Sequence, residues 1–224
     1  MKVLEVKNLS VYIDGKEILK DINFSLNESE LLIVIGPNGG GKTTLLKAIL
    51  KIIPYKGEVY IKENYKIGYL PQNIENISNI PITIYEILKF FTNVKKSKIE
   101  EIMEIFELKN YKNELFKNVS GGLKQRTLIA LSILTGSNIL LLDEPTNNLD
   151  LNAQREFYEL IKKLKKDFKI STIMVSHDIG IVSAIADNVL CLNKVMYYHG
   201  EPNLNEKLLC ELYGNEIKII FHAH

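Results

Sequence analysis

Only two cysteines occur in 224 residues, Cys191 and Cys210, and they form no CxxC pair. That argues against a disulfide framework and fits a reducing compartment. Apolar runs are short as well. The longest, Leu31 to Ile35 and Ile139 to Leu142, fall far short of the roughly 20 residues that span a bilayer as a helix. The opening residues, Met1 to Val6, carry no signal-peptide core. The expected place is the cytoplasm, with any membrane role coming through a partner. Charge excess is missing too: 28 Lys plus Arg against 27 Asp plus Glu give a formal net charge of +1. A dedicated nucleic-acid binder usually carries a basic surplus, so no nucleic acid is expected. There is no internal repeat and no low-complexity linker. What remains is ordinary globular composition, 46% hydrophobic and 25% charged, long enough for one domain with a lobe attached.

Lys2 to Ile13 alternates and meets Asp14-Gly15, a hairpin turn signal. Ile18 to Leu26 reads as a second strand. Leu31 to Ile35 is continuously apolar, as in a strand buried on both faces. A glycine-rich loop follows, then a helical pattern from Thr43 to Ile52, stopped by Pro54. Short strands are expected at Gly57 to Ile61 and Lys66 to Tyr69. From Ile82 to Leu134 the periodicity is helical, with Ile84, Ile87, Leu88 and Phe91 on one face. Ser97 and Glu100 have capping-box spacing. Asn138 to Leu142 returns to a buried strand. Leu151 to Lys166 is amphipathic, with a lysine-rich solvated face. Strands are predicted at Lys169 to Val175, Asn188 to Leu192 and Val195 to Tyr198, the last pair joined by a turn at Asn193-Lys194. A final helix is expected near Leu204 to Tyr213. Strand–loop–helix, a helical block, then more strand–helix units describe an α/β core with a helical lobe.

Gly36-Pro37-Asn38-Gly39-Gly40-Gly41-Lys42-Thr43 fits G-x-x-x-x-G-K-[ST] in full, between a buried strand and a helix. Glycines let the backbone curl so that successive N–H groups face phosphate oxygens, and the helix that follows adds its positive end. Lys42 is expected at the β- and γ-phosphates. Thr43 is expected on Mg²⁺, and Thr44 completes the phosphate-binding run. Gly40, where alanine is more usual, is expected to loosen the loop modestly. Farther on, the apolar Ile139 to Leu142 ends in Asp143-Glu144. Asp143 suits Mg²⁺, held through water. Glu144 suits the base that takes a proton from an attacking water.

Asn118-Val119-Ser120-Gly121-Gly122-Leu123-Lys124-Gln125-Arg126 precedes that acidic strand. It resembles the signature motif of the ATP-binding-cassette (ABC) ATPases. Gln72 after Tyr69-Leu70-Pro71 is similar to their Q-loop glutamine, Asn147-Asn148-Leu149-Asp150 to their D-loop, and Ser176-His177-Asp178 to their switch region. The resemblance covers essentially the whole chain. It implies a P-loop NTPase core with a mainly parallel sheet, an N-terminal antiparallel β subdomain and an inserted α-helical subdomain. In that reading residues 1–224 are one ABC ATPase domain, with 1–72 and 138–224 as the nucleotide-binding core and 73–137 as the helical subdomain. It also implies a head-to-tail dimer with a second copy. ATP then lies between the phosphate loop of one copy and Ser120, Gly121 and Gly122 of the other. Gln72 would contact Mg²⁺ and sense the nucleotide, His177 would contact the γ-phosphate, and Asp150 would reach across the interface. Val119 and Leu123 depart from the usual signature residues but keep an apolar anchor beside the turn. The family register puts Ile13 at the adenine, and Tyr12 stacks there only if the turn shifts.

About eighty residues separate the phosphate loop from Ser120, which leaves no room for a long coiled coil. One cassette without a span looks like the ATPase subunit of a transporter. The implied partners are an integral membrane permease and, indirectly, a substrate-binding protein, with the chain on the cytoplasmic face. Ile80 to Phe91 is the apolar candidate for a groove that docks the permease. Ile67 to Gln72, Ile80 to Ile84, Cys191-Leu192-Asn193-Lys194 with Tyr198-His199-Gly200, and Leu212-Tyr213-Gly214 resemble the zinc and manganese uptake branch. Zinc is the expected cargo, with manganese or another solute as the alternative. A soluble regulatory or nucleic-acid ATPase using the same clamp stays open. Glu144 and His177 argue against a binding module without turnover. His199 reads as structural, and His222 and His224 are too few ligands for a closed zinc site.

Overall fold

The computed structural model describes residues 1–73, 81–147 and 149–213. Ile80, Asn148, Gly214, His222 and His224 lie outside the described residues. The chain divides into two compact units, Met1–Glu63 with Ile173–His224, and Asn64–Thr172.

In the first unit, β1 (Lys2–Ile13) and β2 (Lys16–Asn27) form an antiparallel hairpin, and β4 (Lys56–Ile61) pairs with the other edge of β1. Its turn is Asp14-Gly15, both with positive φ, the conformation that matches strand twist in a two-residue hairpin. β3 (Leu31–Ile35) is buried at all five positions. It runs parallel to β8 (Asn188–Asn193), and β8 turns back antiparallel into β9 (Val195–Gly200). Buried Glu30 fixes one end of β3. Its carboxylate accepts from the Asn27 backbone and from Asn188 Nδ2, both at 2.6 Å. Asp187 accepts from Leu31 N at 2.7 Å. α1 (Lys42–Ile49) leaves the phosphate loop. It ends earlier than its periodicity predicts, because Lys51 adopts a left-handed φ of 59° and closes the last turn on Ala48. α6 (Ile179–Ile185), which the periodicity did not single out, is started by Asp178, whose carboxylate accepts from the Gly180 and Ile181 N–H groups. α7 (Glu206–Tyr213) packs on β8 and β9 through buried Leu209 and Leu212. His199 is half-buried against Phe24, edge to face, as a structural histidine would be.

The second unit contains β5 (Ile67–Leu70) and β6 (Ile139–Asp143), a parallel pair, with the helices α2 (Ile84–Phe90), α3 (Lys96–Ile105), α4 (Gly121–Leu134) and α5 (Leu151–Phe168). The division falls within β7 (Ser171–Val175), all five residues of which are buried. Two expectations are corrected here. The capping box lies not at Ser97 but at Thr83. Thr83 Oγ1 accepts from Glu86 N and the Glu86 carboxylate accepts from Thr83 N at 2.9 Å. α3 starts at Lys96 with no side-chain cap, so Ser97 already sits inside its first turn. Phe91 does not share the buried face of Ile84, Ile87 and Leu88. The helix stops at Phe90, so the i+7 position leaves the helical path and Phe91 is 61% exposed. α5 keeps its predicted amphipathic pattern, burying Phe157, Tyr158, Leu160, Ile161 and Leu164.

Candidate functional site

The first unit carries the phosphate loop. Gly36 follows directly on buried β3 with φ of 154°, and a Cβ there would lie 1.9 Å from the Leu192 carbonyl oxygen. No residue with a side chain fits that approach. Gly41 caps α1 in a left-handed conformation with φ of 94°, again a glycine requirement, and no side chain competes for the helix N-terminus. Asn38 and Gly39 are exposed at the loop tip and Pro37 is partly so. Lys42 is buried, and its ammonium donates to the Gly36 and Pro37 carbonyls at 2.8 and 2.9 Å. That holds a cation against the loop carbonyls at the N-terminus of α1, a helix end that favours an anion. Thr43 and Thr44 follow in the first turn, half-buried. Gly40 is bonded within the loop and to the β8–β9 turn. Its N–H bonds to Pro37 O, and its carbonyl accepts from Lys194 N at 2.9 Å.

At the end of β1, Tyr12 and Ile13 are both exposed. The Tyr12 hydroxyl donates to Glu17 at 2.6 Å, and the Lys56 ammonium lies 5.2 Å from the ring centroid. The Glu17 carboxylate at the phenol raises its pKa, since it opposes a second negative charge. His177 follows β7 and is exposed. The segment is fixed on both sides, by Ser176 N on Val34 O at 3.1 Å and by Ser176 Oγ accepting from Asp178 N.

The second unit carries the acids. β6 buries five apolar and acidic residues in succession and ends in Asp143, 1% exposed. Its carboxylate accepts from the Tyr69 hydroxyl at 3.4 Å. Burial, then the Asp143 charge, push that phenol up to about 12, so Tyr69 remains a donor at neutral pH. Glu144 turns out of the strand with a left-handed φ of 49°. The Glu144 carboxylate accepts from Gln72 Nε2 at 2.6 Å and also from Asn147 Nδ2. Gln72 and Glu144, 72 residues apart, are thus brought together. Tyr69 and Asn147 had no assigned role in the sequence, because such partners depend on strand pairing and on the turn after β6.

Ser120 is the N-cap of α4 and accepts from Leu123 N at 3.4 Å. Ser120 and Gly121 are both exposed at this helix N-terminus. Asp150 caps α5, accepting from Ala153 N at 2.9 Å. Arg126 fastens α4 to its surroundings. Its guanidinium donates to Glu107 and, at 2.6 Å, to Glu156 on α5. A cavity of about 530 Å³ opens here between Ser120, Gly122, Arg126, Leu149 and Glu156. Two of its walls are the signature turn and the residue before Asp150.

A family model described as "ABC transporter" matches residues 19–147, a stretch holding the phosphate loop, the signature turn and the acids. The chain belongs to the ABC transporter family. Among relatives, zinc import ATP-binding protein ZnuC of Haemophilus influenzae is 36% identical over 99% of this chain and 85% of its own length. A Thermotoga maritima protein named "Probable metal transport system ATP-binding protein" is 39% identical over 89% of this chain and 85% of its own. One chain of a solved structure described as "An inward-facing conformation of a putative metal-chelate type ABC transporter" superposes with a TM-score of 0.85 at 28% identity, covering 95% of this chain and 89% of that one. Membership in the ABC transporter family fits the α/β P-loop architecture expected from the sequence.

Proposed function

We propose that this chain is the ATP-hydrolysing subunit of an ABC importer that powers zinc uptake. What carries the reading is the likeness to zinc import ATP-binding proteins over 99% of this chain, joined to a phosphate loop with Lys42 held on its Gly36 and Pro37 carbonyls.

Gly36 to Thr44 bind the ATP phosphates, with Lys42 supplying charge at the β- and γ-phosphates. Adenine falls to the exposed Tyr12–Ile13 end of β1, where Lys56 stands over the Tyr12 ring. Glu144 takes the proton of the attacking water. For that its carboxylate must exchange the Gln72 amide for water, so Gln72 sets when the base is available. His177 orients water and γ-phosphate. Ser120, Gly121, Gly122 and Asp150 serve the ATP of a second copy across a head-to-tail interface. The residues present suit Mg²⁺, a hard cation that prefers oxygen: a Thr43 hydroxyl, an Asp143 carboxylate and the Gln72 amide oxygen. When bound, Mg²⁺ would neutralise charge on the phosphates.

No helix among the described residues is long and apolar enough to cross a membrane. We place the chain on the cytoplasmic face, held by a permease that receives its solute from a substrate-binding protein. Exposed Phe90, the last residue of α2, and exposed Phe91 just beyond it are the apolar side chains offered to that permease.

The test is uptake in a host strain lacking the gene. Restoring the chain should restore accumulation of radioactive zinc, and Phe90→Ser with Phe91→Ser should lower it several-fold while ATPase activity of the isolated chain stays unchanged. Restored manganese uptake without zinc would move the cargo to the alternative. No effect on either metal would contradict the importer reading.

A further inference from the structure

The turn between β8 and β9 touches more of the phosphate loop than any motif suggests. The Leu192 carbonyl faces Gly36, where a Cβ would lie at 1.9 Å, and faces Gly40, where it would lie at 3.0 Å. The next N–H but one, Lys194 N, donates to the Gly40 carbonyl at 2.9 Å. Lys194 itself sits in the left-handed region with φ of 61°, and its carbonyl accepts from Lys20 N of β2 at 2.8 Å. Between these two contacts lies Asn193. Its side chain donates through Nδ2 to the Leu212 carbonyl of α7 at 3.2 Å.

Leu212 lies in α7 and is buried. The Asn193 amide ties its carbonyl to the β8–β9 turn. Leu209 and Leu212 are buried, so the helix is docked by apolar packing and also tied by this polar bond. Tyr213, next in the chain, lies near the same loop. Burial pushes its hydroxyl up to about 12, with the Cys191 thiol adding to that and the Gly36 backbone acting the other way.

We propose that Asn193 is a positioning residue for nucleotide binding: it couples the docked C-terminal helix α7 to the phosphate loop through the Leu192–Lys194 turn. The inference rests on the phosphate-loop reading above and deepens it. Asn193 touches no phosphate. Its bond to α7 fixes where the Leu192 carbonyl and the Lys194 N–H stand, and these set the curl of the loop at Gly36 and Gly40. A loop that has lost this brace must be ordered by the nucleotide itself, at a cost in affinity and not in the chemical step.

Asn193→Asp keeps size and removes the donor. It should raise both the dissociation constant for ATP and the KM roughly three- to tenfold, the worth of one hydrogen bond, with kcat within twofold of wild type. Leu209→Ala, which loosens α7 from its apolar side, should give a KM shift of the same sense. The double variant should show less than the product of the two. A merely structural asparagine would lower thermal stability and leave the KM-to-kcat pattern alone. If Asn193→Asp binds ATP as wild type does, the coupling is wrong, whatever Leu209→Ala does to folding. If the wild-type chain itself fails to bind ATP, the phosphate-loop reading falls and the coupling with it.

Discussion

Glu144→Gln is expected to lower steady-state ATP hydrolysis by at least roughly a hundredfold, the lower end of what a positioned general base contributes, while ATP affinity changes little. The substitution is isosteric and leaves the fold of β6 undisturbed, since the side chain lies beyond the strand end at a residue with φ of 49°. It removes the one property the mechanism needs, a carboxylate oxygen able to accept a proton. Gln72 Nε2 and Asn147 Nδ2 both donate to Glu144 Oε2, and the amide oxygen of the variant can still accept from them. With hydrolysis blocked and binding intact, the ATP-bound head-to-tail dimer should accumulate. Light scattering on a sizing column resolves this directly: monomer without nucleotide, dimer with ATP and Mg²⁺, and no decay over hours. Hydrolysis at the wild-type rate would show that another group is the base.

Lys42→Ala should act on binding instead. The ammonium is buried and shares its protons with the Gly36 and Pro37 carbonyls, and the phosphates of ATP would compete for it. Losing one charge-assisted hydrogen bond is worth about 1.5 to 3 kcal/mol. ATP affinity should therefore fall roughly ten- to a hundredfold for each such bond lost, by equilibrium binding of a fluorescent ATP analogue. The loop itself should persist, because Gly40 remains bonded to Lys194 and to Pro37. Unchanged affinity would mean that Lys42 is a structural brace for two carbonyls and no more.

These two residues were legible in the sequence for the same reason: the chemistry of each is set by neighbours a few positions away. A phosphate loop is a contiguous run that curls on itself, and an acid pair at the end of an apolar strand needs only the strand to be placed. The Asp14-Gly15 hairpin and the fully buried β3 and β6 were legible likewise, through turn chemistry and unbroken apolar runs. Partners supplied by pairing were not. Gln72 meets Glu144, and Tyr69 meets Asp143, only because β5 lies parallel to β6 in register. Local signals that compete also misled. Ser97 and Thr83 both precede a glutamate by three residues, and the pattern alone cannot say which one stands at a helix start. Phe91 continued a helical period that the backbone had already left. Asn193 was legible as part of a turn and of the Cys191–Lys194 run, but its place between the phosphate loop and α7 depends on a helix packing back on β8 and β9.

The central claim, a motor subunit that works on a membrane permease, is tested most directly by co-purification. The Glu144→Gln chain would be expressed in its native host, membranes solubilised with ATP and Mg²⁺ present, and the bound proteins identified. The account predicts a multi-span membrane protein in stoichiometric amount, lost when Phe90→Ser and Phe91→Ser are added. Recovery with soluble factors or nucleic acid alone would contradict it and leave the soluble clamp as the better reading.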